Sequence, residues 1–177
     1  IAVVDINQDG SPDILEVSRG TQNLIFLNDG AGSFPTMAGD DREPLSFGAV
    51  EDRTLNVAVA DMNGDGLMDL VLANRDGDAN EILMGLGGMR FGHPVGFGSG
   101  SDDTRGVAVA DMNGDGLPDI VTANIGEANA VILNRGDGRF ELAHTFGAED
   151  GQSYAIVATD LDNDWDIDIV IGSYQGH

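Results

Sequence analysis

Residues 61–69 read "DMNGDGLMD", and residues 111–119 read "DMNGDGLPD". Two further copies bracket them, "DINQDGSPD" at 5–13 and "DLDNDWDID" at 160–168. Their first aspartates, Asp5, Asp61, Asp111 and Asp160, are spaced by 56, 50 and 49 residues. A near-constant period of this length marks a repeat architecture, in which each unit buries its apolar face against its neighbours.

The repeats extend well beyond the acidic stretches. Repeat one covers 1–56, repeat two 57–106 and repeat three 107–155, while a fourth, 156–177, stops after its acidic stretch and the run behind it. A short β-prone run precedes each acidic stretch ("IAVV", "VAVA", "VAVA", "IVAT") and another follows it ("DILEVS", "DLVLAN", "DIVTAN", "DIVIGS"). Short apolar and β-branched runs bounded by Gly, Asp and Asn read as strands joined by turns. A third run ("NLIFL", "NEILM", "AVIL") ends in a glycine-rich turn closed by Phe34, Phe91 or Phe140, and a fourth leads to Phe47-Gly48, Phe97-Gly98 or Phe146-Gly147. Four short strands per unit with no helical periodicity predict an all-β propeller of four-stranded antiparallel blades. This chain holds about three and a half of them.

The bulk composition narrows the partners. The formal charge is −23, from 31 acidic residues against 8 arginines, with no lysine. Such a surface repels nucleic acid and anionic membrane. The acidity reads either as a solvated, salt-adapted surface or as a store of cation ligands. The four acidic stretches contain 13 aspartates at positions 1, 3, 5 and 9, and one divalent ion in each would move the charge from −23 to −15. There is no cysteine, so neither disulfides nor zinc–thiolate sites hold the fold. No apolar run reaches the roughly 18 residues of a membrane span. The chain opens on Ile1 and not Met, as expected of a processed product or a fragment.

Positions 1, 3, 5 and 9 carry oxygen donors in every copy, with glycine at position 6 in three of the four. Calcium takes six to eight oxygens at about 2.3–2.6 Å, which these side chains and the carbonyl of position 7 can supply around one tight turn. Magnesium fits less well, because it holds a strict octahedron and keeps its waters. Without a cation, two carboxylates ~4 Å apart repel by roughly 1 kcal/mol in water and about 4 at an effective dielectric of 20. Metal binding is therefore expected to couple to ordering of the turn. The EF-hand pattern fails, because only Glu16 stands at position 12, against Leu72, Thr122 and Ile171, and β-prone runs flank the loops where helices would be needed.

These motifs resemble the FG-GAP repeats of the integrin α-subunit propeller, and more closely the VCBS-type repeats of bacterial secreted proteins. The resemblance rests on D-x-[DN]-x-D-G-x-x-D followed by a strand, with the N-x-G-x-G-x-F turn behind it, and covers nearly the whole chain. It implies structural calcium, three to four ions, within a ring that usually has seven blades. The implied ligands of the first loop are Asp5, Asn7, Asp9, the Ser11 carbonyl and Asp13. In the second they are Asp61, Asn63, Asp65, the Leu67 carbonyl and Asp69, and in the third Asp111, Asn113, Asp115, the Leu117 carbonyl and Asp119. In the fourth they are Asp160, Asp162, Asp164, the Asp166 carbonyl and Asp168. Two departures stand out. The "GAP" triplet is replaced by "LAN", "TAN" and "IGS", and Trp165 takes the place of the fourth glycine.

Other candidates carry less. The "RGD" at 135–137 falls in the glycine-rich turn that every full repeat has, so turn chemistry accounts for it. His93, His144 and His177 occupy unrelated positions, and no G-x-S-x-G elbow is present, so the segment reads as non-enzymatic. Arg42, Arg53, Arg75, Arg90 and Arg105 are scarce positive charges that read as ion-pair partners of nearby acids. Repeat one carries six or seven surplus residues around 35–48, a place where a rigid scaffold would vary its binding loops. The expected function is a calcium-binding extracellular, secreted or cell-surface binding or adhesion module, of bacterial type, for a protein or glycan. Further blades in the same or another chain would complete the ring. The alternatives are the propeller part of a secreted carbohydrate-active enzyme, or a structural assembly protein.

Overall fold

The computed structural model describes residues 1–35 and 43–174, so Arg42, His177 and residues 36–42 of the surplus stretch of repeat one lie outside the described residues. All regular elements among the described residues are strands. Three four-stranded antiparallel sheets follow in chain order: β1 (Ala2–Val4) to β4 (Leu45–Phe47), β5 (Thr54–Ala60) to β8 (Val95–Phe97), and β9 (Thr104–Ala110) to β12 (Phe140–Phe146). A fourth sheet is formed by β13 (Ser153–Thr159) and β14 (Asp168–Ser173). Within each sheet every strand pairs with the next in sequence, and the first strands β5, β9 and β13 pack beside one another. These are the blades of a propeller, and each opens three residues ahead of the period boundary, at Thr54, Thr104 and Ser153.

The second strands show why the sequence reads as it does. β6 (Asp69–Asn74) and β10 (Asp119–Asn124) are buried along their whole length, because a blade stands on either side. Side chains alternate across a strand. Leu70 and Leu72 therefore join Leu15, Ile25, Phe47 and Val57 between the first and second blades. Val71 and Ala73 join Met62, Ile82, Phe97, Val107, Ile120 and Ile132 between the second and third. Each fully buried Leu or Val contributes about 1.5–3 kcal/mol of transfer free energy. β14 has the same kind of sequence, yet Val170 stays 45% exposed, since among the described residues no blade covers its outer face.

The Phe-Gly pairs close the unit. Phe47 and Phe97 are buried, and Gly98 that follows has φ 77°. A Cβ on Gly98 would run into the Asp102 carboxylate and lie 3.6 Å from Asn80 Nδ2, so both the backbone angle and the space demand glycine.

Candidate metal centres in the strand-to-strand loops

Each acidic loop leaves a first strand and enters a second in the same register: Val4 pairs Asp13, Ala60 pairs Asp69, Ala110 pairs Asp119 and Thr159 pairs Asp168. The ninth-position aspartate is thus fixed by the sheet, and the first eight residues wrap ahead of it. The position-1 carboxylate organises the wrap. Asp61 Oδ1 accepts the N–H groups of Gly64 at 2.7 Å and Asp65 at 3.1 Å, while its Oδ2 accepts that of Gly66 at 2.8 Å. Asp111 repeats this with Gly114, Asp115 and Gly116, and Asp160 with Asn163, Asp164 and Trp165. Asp5 does so with Asp9 and Gly10.

Positions 3, 5 and 7 are linked in series. Asn63 accepts the Asp65 N–H at 2.9 Å and donates Nδ2 to Asp65 Oδ2 at 3.0 Å. Asn7 with Asp9, and Asn113 with Asp115, do the same. The N–H groups of Ser11, Leu67, Leu117 and Asp166 turn onto the carboxylates of Asp9, Asp65, Asp115 and Asp164. The side-chain bond from Asn7 holds the Asp9 carboxyl below the usual carboxylate range, and the Gly116 amide does so for Asp111.

The ninth position has a second task that the spacing did not disclose. Asp69 is buried and accepts the Met62 N–H at 2.7 Å and the Gly85 N–H at 2.6 Å. Asp13 ties Ile6 to Asn28, and Asp119 ties Met112 to Asn134, in the same way. The carboxylate therefore staples the loop to the end of the third strand. Burial pushes the Asp69 and Asp119 carboxyls up, against the pull of those amides. Each oxygen keeps a second lone pair, so this role is compatible with cation ligation.

The fourth loop brings its acids closest together. Asp160, Asp162 and Asp168 each place one carboxylate oxygen within 4.8 Å of the others, the one such trio among the described residues. A calcium–oxygen shell at about 2.3–2.6 Å is roughly 5 Å across, so the trio suits a single ion. In the first three loops position 3 is Asn, and an amide oxygen stands where Asp162 offers a charge. Trp165 does not disturb the wrap, since its N–H reaches Asp160 at 3.0 Å with φ 76°. The donor chemistry of all four loops fits a hard divalent cation.

Neighbouring blades are stitched together around the loops. Gln8 Nε2 donates to the Gly66 carbonyl at 3.0 Å and Asn134 Nδ2 to the Met62 carbonyl at 2.7 Å, so the second loop is held from both sides. At the opposite end of the strands Arg19, Arg53 and Arg75 all approach Asp76, and Arg53 also approaches Asp78. Among the described residues Arg105 forms no ion pair with an acid, although the sequence suggested one; its guanidinium lies over the Tyr154 ring, 4.6 Å from the centroid. In the "RGD" turn, Arg135 pairs with Glu141 and Asp137 with Arg139.

The model of the FG-GAP-like repeat matches three times, over residues 5–72, 61–122 and 111–171. The chain belongs to the FG-GAP-like repeat family. Each match opens on the first aspartate of one acidic loop and runs through the next loop into the strand behind it, so the loops frame the family unit. Among solved structures, the blades of these FG-GAP-like repeats are similar to those of an Agrocybe aegerita lectin. That structure is described as the basis of specific recognition of non-reducing terminal N-acetylglucosamine. The identity is 24% and the TM-score 0.63, over 96% of this chain and 45% of the lectin, which shows a shared fold. The chain thus spans less than half the lectin's length. No curated protein sequence matches the chain.

Proposed function

We propose that this chain is a calcium-stabilised section of propeller that serves as an extracellular, non-catalytic binding module, with a glycan as the favoured ligand over a protein. The observation that carries the cation is the fourth loop, where three carboxylate oxygens lie within 4.8 Å of one another. Three or four ions per chain would sit in the loops, with the ligand sets named from the sequence. When bound, calcium supplies the positive charge that offsets the repulsion among these carboxylates. The chain's own residues fix the turn, since the position-1 aspartates gather the amides and the position-9 aspartates anchor the third strand.

The glycan preference is supported by the lectin likeness. Absence of anionic-ligand binding is expected from the formal charge of −23. Native mass spectrometry in calcium, repeated after chelation, tests the cation: retention of three or four ions is expected, and none retained would sink it. Titration with oligosaccharides ending in N-acetylglucosamine tests the glycan separately. Binding unchanged by such sugars, together with turnover of a polysaccharide, would favour the enzyme-associated alternative.

A further inference from the structure

The sixth position of the acidic loop asks for glycine. Gly10, Gly66 and Gly116 have φ of 92°, 84° and 85°, a region where side chains are strained. The fourth loop adopts the same backbone with Trp165, which is 92% exposed. The sister loops leave the same position open at its base. A Cβ built on Gly10, Gly66 or Gly116 meets no atom within 4 Å, and Gly66 has a blade on either side. The first side-chain atom at this position is therefore unobstructed in all three sister loops. Leu161 differs: it is 59% exposed, whereas Ile6 and Met62 at the same position are buried by a neighbouring blade.

The next residue departs in the same direction. Asp166 replaces Ser11, Leu67 and Leu117, and its carboxylate is exposed. The implied cation set uses only the carbonyl at this position, so the side chain is left over. Among the described residues no arginine forms an ion pair with Asp166. The three sister loops show that neither Trp nor Asp is required to make the turn.

We propose that Trp165 and Asp166 form a recognition pair for a cationic side chain, guanidinium or ammonium, on a basic segment of a partner protein. The indole face attracts a cation while the adjacent carboxylate pairs with it. Trp, with Tyr and Arg, is enriched among the residues that anchor protein interfaces. The formal charge of −23 steers a basic partner toward this surface and gives a neutral ligand no such help. The inference does not rest on bound calcium or on a glycan ligand.

Trp165 is the only tryptophan, so intrinsic emission reads this site alone. Octa-arginine peptide titrated into the whole chain, with calcium and again after chelation, is expected to quench or shift that emission saturably. The affinity should fall as salt is raised. Calorimetry on Trp165→Gly, which restores the sister-loop residue and so keeps the fold, should show affinity at least tenfold weaker. Asp166→Leu, the residue of loops two and three, should weaken binding and flatten its salt dependence. Equal affinity in wild type and Trp165→Gly would overturn the pair, because body charge alone would then hold the peptide. Emission that responds to neutral chitotriose and not to the peptide would overturn it in favour of a sugar-stacking residue.

Discussion

Asn80 donates from Nδ2 to the Thr104 hydroxyl at 2.8 Å, and that hydroxyl donates onward to Asn124 Oδ1 at 2.9 Å, joining the second blade to the third. Asn23 reaches Thr54 at 3.1 Å across the preceding interface. Asn80, Thr104 and Asn124 are all buried, so an unpaired member costs its full desolvation. Thr104→Val strands an amide and a carbonyl. It should destabilise by about 2–4 kcal/mol in a urea titration, while Thr104→Ser should lose under about 1.5.

Calcium should raise the melting temperature. For sites with dissociation constants of about 10⁻⁴–10⁻³ M, 10 mM calcium adds roughly 1.4–2.7 kcal/mol per loop through binding to the folded state alone. Differential scanning calorimetry should therefore show a rise of several degrees per occupied loop. Asp160→Asn with Asp162→Asn should remove one loop's share. An unchanged melting temperature with and without chelator would rule the linkage out.

Glu81 sits on β7 (Asn80–Leu83), half-buried, and burial, then the charges of Asp52 and Asp78, push its carboxyl up. Its folded value lies above the ordinary 4.5, so the protonated form is the stabilising one. That contribution is full below pH 4.5 and is lost as pH rises through the raised folded value. Glu81→Gln should thus raise the melting temperature at pH 7 by about 1–3 °C and leave it unchanged near pH 4. A melting temperature lowered at pH 7 would show that the charge is compensated.

The strained loop makes its own prediction. Trp165→Gly should stabilise by about 1–2 kcal/mol, the cost of a bulky residue in the left-handed region. Gly116→Ala, at φ 85°, should lose a similar amount. Thermal melts of the two variants should move in opposite directions.

The periodic part of this protein was legible in its sequence. Acidic loops, second strands and Phe-Gly turns recur because each is a local device, built within ten or so residues, and the period shows how the devices are stacked. Blade architecture follows, since alternating apolar residues such as Leu72 and Val71 need a neighbour on each face. The ninth-position aspartate was legible as a ligand type but not as a staple, because its partner amides, Asn28, Gly85 and Asn134, come from another strand of the sheet. The Asn–Thr links between blades were hidden for the same reason: residues so separated meet only once the blades pack. Trp165 stands where the sister loops have glycine. The backbone tolerates it because the sixth side chain points at solvent, a direction that only the three-dimensional path of the turn decides.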